Sequence, residues 1–192
     1  MAEQGFTLFD TAIGACAVVW NERGLIGVQL PEINEAATRA RTLRRFPAAK
    51  ALAPPSDVQD AIGGMIALLA GERHDLNYVA IDNTDTPAFN ARVYAIVRQI
   101  PPGETLTYGE VAEKLGDKSL ARAVGQAMGQ NPCPVVMPCH RVLAASGKQG
   151  SKTGGFSAPG GVVTKLKLLT IEGAQPGGPT LFGDLPLEAR RR

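Results

Sequence analysis

Two β-rich runs, Cys16-Ala17-Val18-Val19-Trp20 and Leu25-Ile26-Gly27-Val28-Gln29-Leu30, flank the polar turn Asn21-Glu22-Arg23-Gly24 and predict a hairpin. An earlier strand is expected over Phe6 to Phe9. Apolar spacing then becomes helical over residues 33 to 45 and 57 to 70, and Ser56, three positions before Gln59, predicts a capping box at the second helix. Leu76 to Ile81 reads as a further strand. The polar, turn-rich stretch Asp82-Asn83-Thr84-Asp85-Thr86-Pro87 marks an expected domain boundary.

Beyond it, Phe89, Val93, Ile96, Val97 and Ile100 follow helical three and four spacing, and Pro101-Pro102-Gly103 stops that helix. Thr107 and Glu110 predict a capping box for a short helix to Leu115. Gly116 supplies a left-handed end, and Asp117 or Ser119 caps a second helix to about Met128. Two short helices around a tight glycine turn form a helix-turn-helix pattern. On the second, Leu120, Val124, Ala127 and Met128 share one face. Arg122 lies opposite, with Ala121, Gly125 and Gln126 beside it. Such a face lets a helix backbone approach a surface closely while one guanidinium reaches into a groove.

The chain has 192 residues and a net charge of +2, ordinary for a globular protein with a real core. That charge is unevenly spread. Residues 1 to 82 carry 7 Lys/Arg against 10 Asp/Glu, a net of −3, whereas residues 83 to 192 carry 13 against 8, a net of +5. The Arg39, Arg41, Arg44, Arg45 cluster of the first helix reads as a solvated face. No apolar run reaches the roughly 18 residues of a membrane span, and the N-terminus lacks a signal-peptide layout, so a cytoplasmic protein is expected. Three cysteines, Cys16, Cys133 and Cys139, without C-x-x-C spacing fit neither a disulfide framework nor a zinc cage. Reduced thiols are expected, with Cys133 a small buried residue and no metal or cofactor.

Cys139 stands between Pro138 and His140 in the proline-bound run Asn131 to Val142. An ordinary thiol is only about 3% thiolate at pH 7, so a reactive one needs help in losing its proton. His140 is the candidate base, because the other histidine, His74, falls in a turn of the acidic half. Neighbouring residues of an extended segment face apart, which favours a bridging water over a direct Cys139 to His140 bond. Glu172, one of few acids in this half, is the candidate to orient the imidazole. Taken alone, the pair also fits a structural cysteine or a cysteine hydrolase, and the helix pair fits a transcription regulator.

Pro138-Cys139-His140-Arg141-Val142, preceded by Ala121-Arg122-Ala123-Val124-Gly125 and Asn131-Pro132, and followed by Lys165 to Gly173, resembles the alkylguanine-DNA alkyltransferases, the methylated-DNA-protein-cysteine methyltransferases. Phe89-Asn90 and Thr107-Tyr108-Gly109 also match, so the likeness covers about residues 86 to 174 in order. It implies an α+β protein with a small N-terminal α/β lobe, whose antiparallel sheet is ribonuclease H-like, over residues 1 to 82. A mostly helical, winged-helix-like lobe follows over 83 to 175, then a loose tail over 176 to 192.

The resemblance implies direct-reversal DNA repair: one irreversible transfer of an alkyl group from the exocyclic oxygen of guanine to Cys139. His140, through water and backed by Glu172, would take the thiol proton, and Asn131 would fix the turn before the cysteine. Arg122 would enter the stack from the minor groove, with Ala121, Gly125 and Gln126 on the same DNA-facing surface, and Tyr108 would press on the adjoining phosphate. Pro138, Met128, Phe156 and Ser157 would line the base pocket. The implied partner is double-stranded DNA bearing alkylated guanine, bound by a monomer. A noncatalytic lesion-recognition protein is the alternative, and the presence of Cys139 argues against it. The family's tyrosine wall aligns with Gly155-Phe156-Ser157 and its glycine pair with Gly160-Gly161, leaving Gly147 to Thr153 as an insertion. The other alignment places Lys152-Thr153-Gly154-Gly155 at the wall.

Overall fold

The computed structural model describes residues 3–144 and 154–174. The expected insertion and tail lie outside these residues, as does the first half of the alternative wall alignment. Strands β1 (Gly5–Thr11), β2 (Gly14–Asn21) and β3 (Gly24–Gln29) form an antiparallel meander, with Phe6 opposite Val19 and Val18 opposite Val28. A two-residue strand the pattern missed, β4 (Lys50–Ala51), pairs parallel with β1. The sheet is therefore mixed rather than antiparallel, in the order β3-β2-β1-β4. So short a strand leaves no periodic trace; its pairing is a tertiary event.

Alternation along β2 decides which helix covers which face. Val18 and Trp20 point to one side, where Val58, Ala61, Met65 and Leu68 of α2 (Ser56–Leu69) complete the main core. Val19 and Phe6 point to the other, against Leu43 of α1 (Glu35–Arg45) and Phe46. Pro55, not Ser56, occupies the cap position of α2, so the expected capping box is absent. The Gln59 amide instead reaches back to the Pro54 carbonyl at 2.8 Å. Leu76 to Ile81 is not a strand either. Asp75 captures the Asn77 backbone at 2.9 Å and starts a turn that buries Leu76 and Val79 together, leaving Ile81 one bridge to Leu25.

In the second lobe, α3 (Ala88–Val97), α4 (Tyr108–Lys114) and α5 (Ala121–Gly129) pack Val93, Val97, Val111, Ala112, Val124 and Ala127 around Met137 and Val142. The capping box at Thr107 is present in both directions. Gly116 is left-handed at φ 99°, and Asp117 caps a single 3-10 turn, Lys118–Leu120, so α5 begins one residue after that turn. Strands β5 (Leu106–Thr107) and β6 (Val142–Leu143) pair in parallel, and α6 (Gly161–Ile171) closes the lobe. Cys133, Val135 and Val136 insert into the main core of the first lobe. The segment leading to Cys139 is thus anchored in both halves of the molecule. Among the described residues no helix is long and apolar enough to cross a membrane.

Candidate active site

Cys139 opens a 3-10 turn, Cys139–Arg141, and is 5% exposed. Its position is set by Asn131, whose amide nitrogen donates to the Met137 carbonyl at 2.8 Å and to Cys139 Sγ at 3.0 Å. The Asn131 side-chain oxygen accepts from the Cys133 backbone at 2.9 Å, so one side chain closes the whole turn. Val135 inside this loop has φ 76°, a conformation costly for a β-branched residue. It persists because Val135 and Val136 are buried on either side of the bend.

Buried His140 makes no hydrogen bond to Cys139. Its Nε2 lies 2.9 Å from Glu172 Oε1, and its Nδ1 has no protein partner among the described residues. Arg141, which sequence reasoning left without a role, grips the same carboxylate through Nε at 2.8 Å and Nη2 at 2.7 Å, and donates Nη1 to the Ile100 carbonyl at 2.6 Å. Burial outweighs Glu172 and holds His140 below its ordinary pKa, so the ring is neutral at pH 7. Burial also pushes Glu172 up, but the hydrogen bonds from His140 and Arg141, with the Arg141 charge, win and hold it at about 2. Since His140 stays neutral, Arg141 is the charge that keeps Glu172 ionised. A carboxylate can only accept, so Nε2 carries the hydrogen and Nδ1 keeps the free lone pair of a base.

Lys165 is a second residue whose role the pattern did not single out. It is fully buried, donates to the Val142 carbonyl at 2.7 Å, and lies 5.7 Å from the Tyr108 ring centre. A signal existed in the sequence: Lys165 falls three and four positions before Leu168 and Leu169, on the buried face of α6, and seven before Glu172. Burial lowers its pKa to about 8, opposed by Cys139. Burial likewise raises Cys139, against the Asn131 hydrogen bond and the Lys165 charge. The resting thiol is therefore protonated, and these two groups favour the thiolate once its proton leaves. Cys16 and Cys133 are also free and buried, with pKa values pushed up by burial to about 11 and about 12.

A cavity of about 530 Å³ opens on Cys139 beneath α5. Tyr108, Ala121, Arg122, Gly125, Met128, Phe156 and Ser157 line it, so most of the expected DNA-facing and base-pocket residues converge on one opening. Two do not. Gln126 is exposed outside the cavity, and Pro138 is buried behind the cysteine. Gly154 matters to the rim: at φ 74° a Cβ there would sit 3.0 Å from the Tyr108 ring. Its volume is within the range of small-molecule sites and large enough for a nucleobase. Among the described residues no group of three His, Cys, Asp or Glu side chains gathers to hold a metal.

Residues 88–174 match the family model described as 6-O-methylguanine DNA methyltransferase, DNA binding domain. The methylated-DNA–protein-cysteine methyltransferase of Mycobacterium tuberculosis is 40% identical over 129 residues, 67% of this chain and 73% of that protein. The chain belongs to the O6-methylguanine DNA methyltransferase family. The methylated-DNA–protein-cysteine methyltransferase of Methanothermobacter thermautotrophicus is 34% identical over 125 residues, 65% of this chain and 66% of that protein. Among solved structures, the M. tuberculosis O6-methylguanine methyltransferase superposes with a TM-score of 0.64 at 30% identity, covering 93% of this chain and 99% of that one. The M. tuberculosis protein in complex with DNA gives 0.62 at 29% identity, covering 88% and 92%.

For this methyltransferase the depressed Glu172 pKa has a measurable consequence. A carboxylate whose folded pKa is lowered stabilises the fold above its ordinary value of 4.5, and that contribution is lost as pH falls toward about 2. Asp82, held low by Arg23, Asn21 and Thr84, adds to acid sensitivity. The melting temperature is expected to fall through this window, and to fall less steeply in Glu172→Gln, as read by circular dichroism from pH 6 down to the acid limit.

Proposed function

We propose that this DNA-binding methyltransferase repairs O6-alkylguanine in double-stranded DNA by moving the alkyl group to Cys139 Sγ, once per molecule. One observation carries the assignment: a single thiol, held by Asn131 and backed by the buried His140–Glu172–Arg141 array, lines a base-sized cavity beneath the Arg122 helix. Of the three cysteines, Cys139 alone lines any cavity described.

The target carbon lies inside the duplex, so the nucleotide must leave the stack at a cost of a few kcal/mol. Arg122, exposed on α5, enters from the minor groove and fills the gap, while Tyr108 presses the adjoining phosphate. The flipped base sits against Met128, Phe156 and Ser157. A water between Sγ and His140 Nδ1 carries the thiol proton to the imidazole. The sulfur lone pair then forms an S–C bond as the C–O6 bond breaks, and its electrons leave on guanine, which takes a proton at N1 to regain its keto form. The product is a thioether, and because a thiolate bound to saturated carbon is a poor leaving group, the acceptor is consumed in the transfer. The protein acts as a monomer, and its need for a reduced thiol suits the cytoplasm.

Incubating the protein with excess duplex carrying O6-methylguanine is expected to transfer one methyl per chain and then stop. Continued turnover would refute the single-use thiol, and tight lesion binding with no transfer would favour a noncatalytic recognition protein.

A further inference from the structure

Cys139 borders a second cavity that the transfer of a methyl group does not need. It measures about 210 Å³ and lies on the side of the sulfur that faces the N-terminal lobe. Its walls include Val28, Gln29, Arg41 and Arg45 from that lobe, together with Asn131 and Cys139. Gly129, Phe156 and Ser157 line both this space and the base cavity, so the two meet at the sulfur. A water occupies about 30 Å³, so the space holds several non-hydrogen atoms beyond a transferred carbon.

Its chemistry is cationic. Arg45 donates Nη1 to the Val28 carbonyl at 3.2 Å and to Gln29 Oε1 at 3.1 Å, and Nη2 to the Pro132 carbonyl at 3.3 Å. All three acceptors are neutral, and among the described residues no carboxylate pairs with this guanidinium. Arg41 meets Glu32 through Nε at 3.2 Å, and among the described residues no carboxylate pairs with its two terminal nitrogens. No carboxylate lines the cavity itself, and Glu32, beside it, offsets one of the two charges. A carboxylate is the planar anion that a guanidinium fork recognises best.

We infer that this interlobe cavity receives the distal part of O6 substituents longer than methyl, and that Arg41 and Arg45 favour those ending in a carboxylate, such as a carboxymethyl group. The inference rests on alkyl transfer to Cys139. With the base in the first cavity and the reacting carbon at Sγ, a substituent of two or more heavy atoms must turn toward the second. The bond changes are those of methyl transfer: S–C forms, C–O6 breaks, and the product is S-carboxymethylcysteine. The N-terminal lobe thereby sets lesion preference, although it holds none of the reacting groups.

The test compares single-turnover transfer from duplexes carrying O6-methyl-, O6-carboxymethyl- and O6-carbamoylmethylguanine. The last is a neutral near-isostere, so comparing its rate ratio to carboxymethyl between variants cancels intrinsic reactivity. Arg41→Gln is expected to lower the carboxymethyl-to-carbamoylmethyl ratio by about 5- to 10-fold, the size of one lost charge-assisted interaction. Glu32→Gln, which frees Arg41, is expected to raise it. Methyl transfer should change less than about twofold in both, since neither side chain reaches a methyl group. A ratio unmoved by either variant, with methyl transfer intact, overturns the anion site alone. Equal loss on all three lesions in Arg41→Gln also overturns it, and no methyl transfer by the wild type overturns the underlying reaction.

Discussion

Replacing Cys139 with serine will abolish alkyl uptake while leaving the lesion duplex bound. Serine keeps nearly the same volume and can still accept the Asn131 amide hydrogen that meets Sγ at 3.0 Å, so the turn and the core around Met137 and Val142 persist. What disappears is the nucleophile: a hydroxyl at neutral pH supplies almost no anion, and its oxygen lacks the polarisable lone pairs of sulfur. The expected loss is on the order of 10,000-fold or more, comparable with removing the nucleophile of other enzymes. Intact-mass measurement after incubation with an O6-methylguanine duplex should show one methyl on the wild type and none on the variant, with binding checked by fluorescence anisotropy. A methyl gain on Cys139→Ser would place the acceptor elsewhere, at Cys16 or Cys133. The structure argues against both, since each is buried in the main core and burial pushes its pKa up, to about 11 and about 12.

Glu172→Gln is expected to have the second largest effect, and on two properties at once. The carboxylate accepts from His140 and, twice, from Arg141. Glutamine preserves the shape and one acceptor but removes the charge that raises the basicity of His140. A general base contributes roughly 100- to 10,000-fold, and a weakened one should cost the transfer rate about 100-fold. Arg141, buried and stripped of its anion, should cost the fold about 3–5 kcal/mol, the usual penalty for leaving one partner of a buried pair alone. Single-turnover rates measured well below the melting temperature separate the two effects. If the rate is unchanged while stability drops, Glu172 is a structural anchor only and the proton must leave Cys139 by another route. The rate deficit should also shrink as pH rises, because hydroxide increasingly replaces the base.

Legibility in the sequence followed the range of the interaction responsible. The hairpin, the capping box at Thr107, the left-handed Gly116 and the stop after α3 were readable because neighbours within a few positions decide them. The readings that failed depended on distant or competing partners. At α2, Gln59 found the Pro54 carbonyl and Pro55 took the cap, and at Leu76 to Ile81 the Asp75 side chain captured a turn before a strand could form. Strand β4 is two residues long and exists only because β1 offers an edge. At the site, Cys139, His140, Asn131 and Glu172 were all visible as chemistry, and the structure brings them together. Lys165 had a periodic signal, being a lysine on an apolar helix face. Arg141 had none beyond its place in the motif, since nothing local tells that its guanidinium meets a carboxylate 31 positions away.

By itself, then, the order of residues determined the family, the α+β class and a candidate acceptor thiol, because motif spacing and short-range periodicity are properties of the chain. The tertiary structure alone decided the protonation of the site. Whether His140 is neutral, Glu172 ionised and Lys165 close to losing its proton depends on burial and on partners brought in from α6 and the end of α3. It also decided that a second, arginine-lined space from the N-terminal lobe reaches the same sulfur. Desolvation and cavity shape are sums over groups far apart in sequence, and they come into being only when the chain closes on itself.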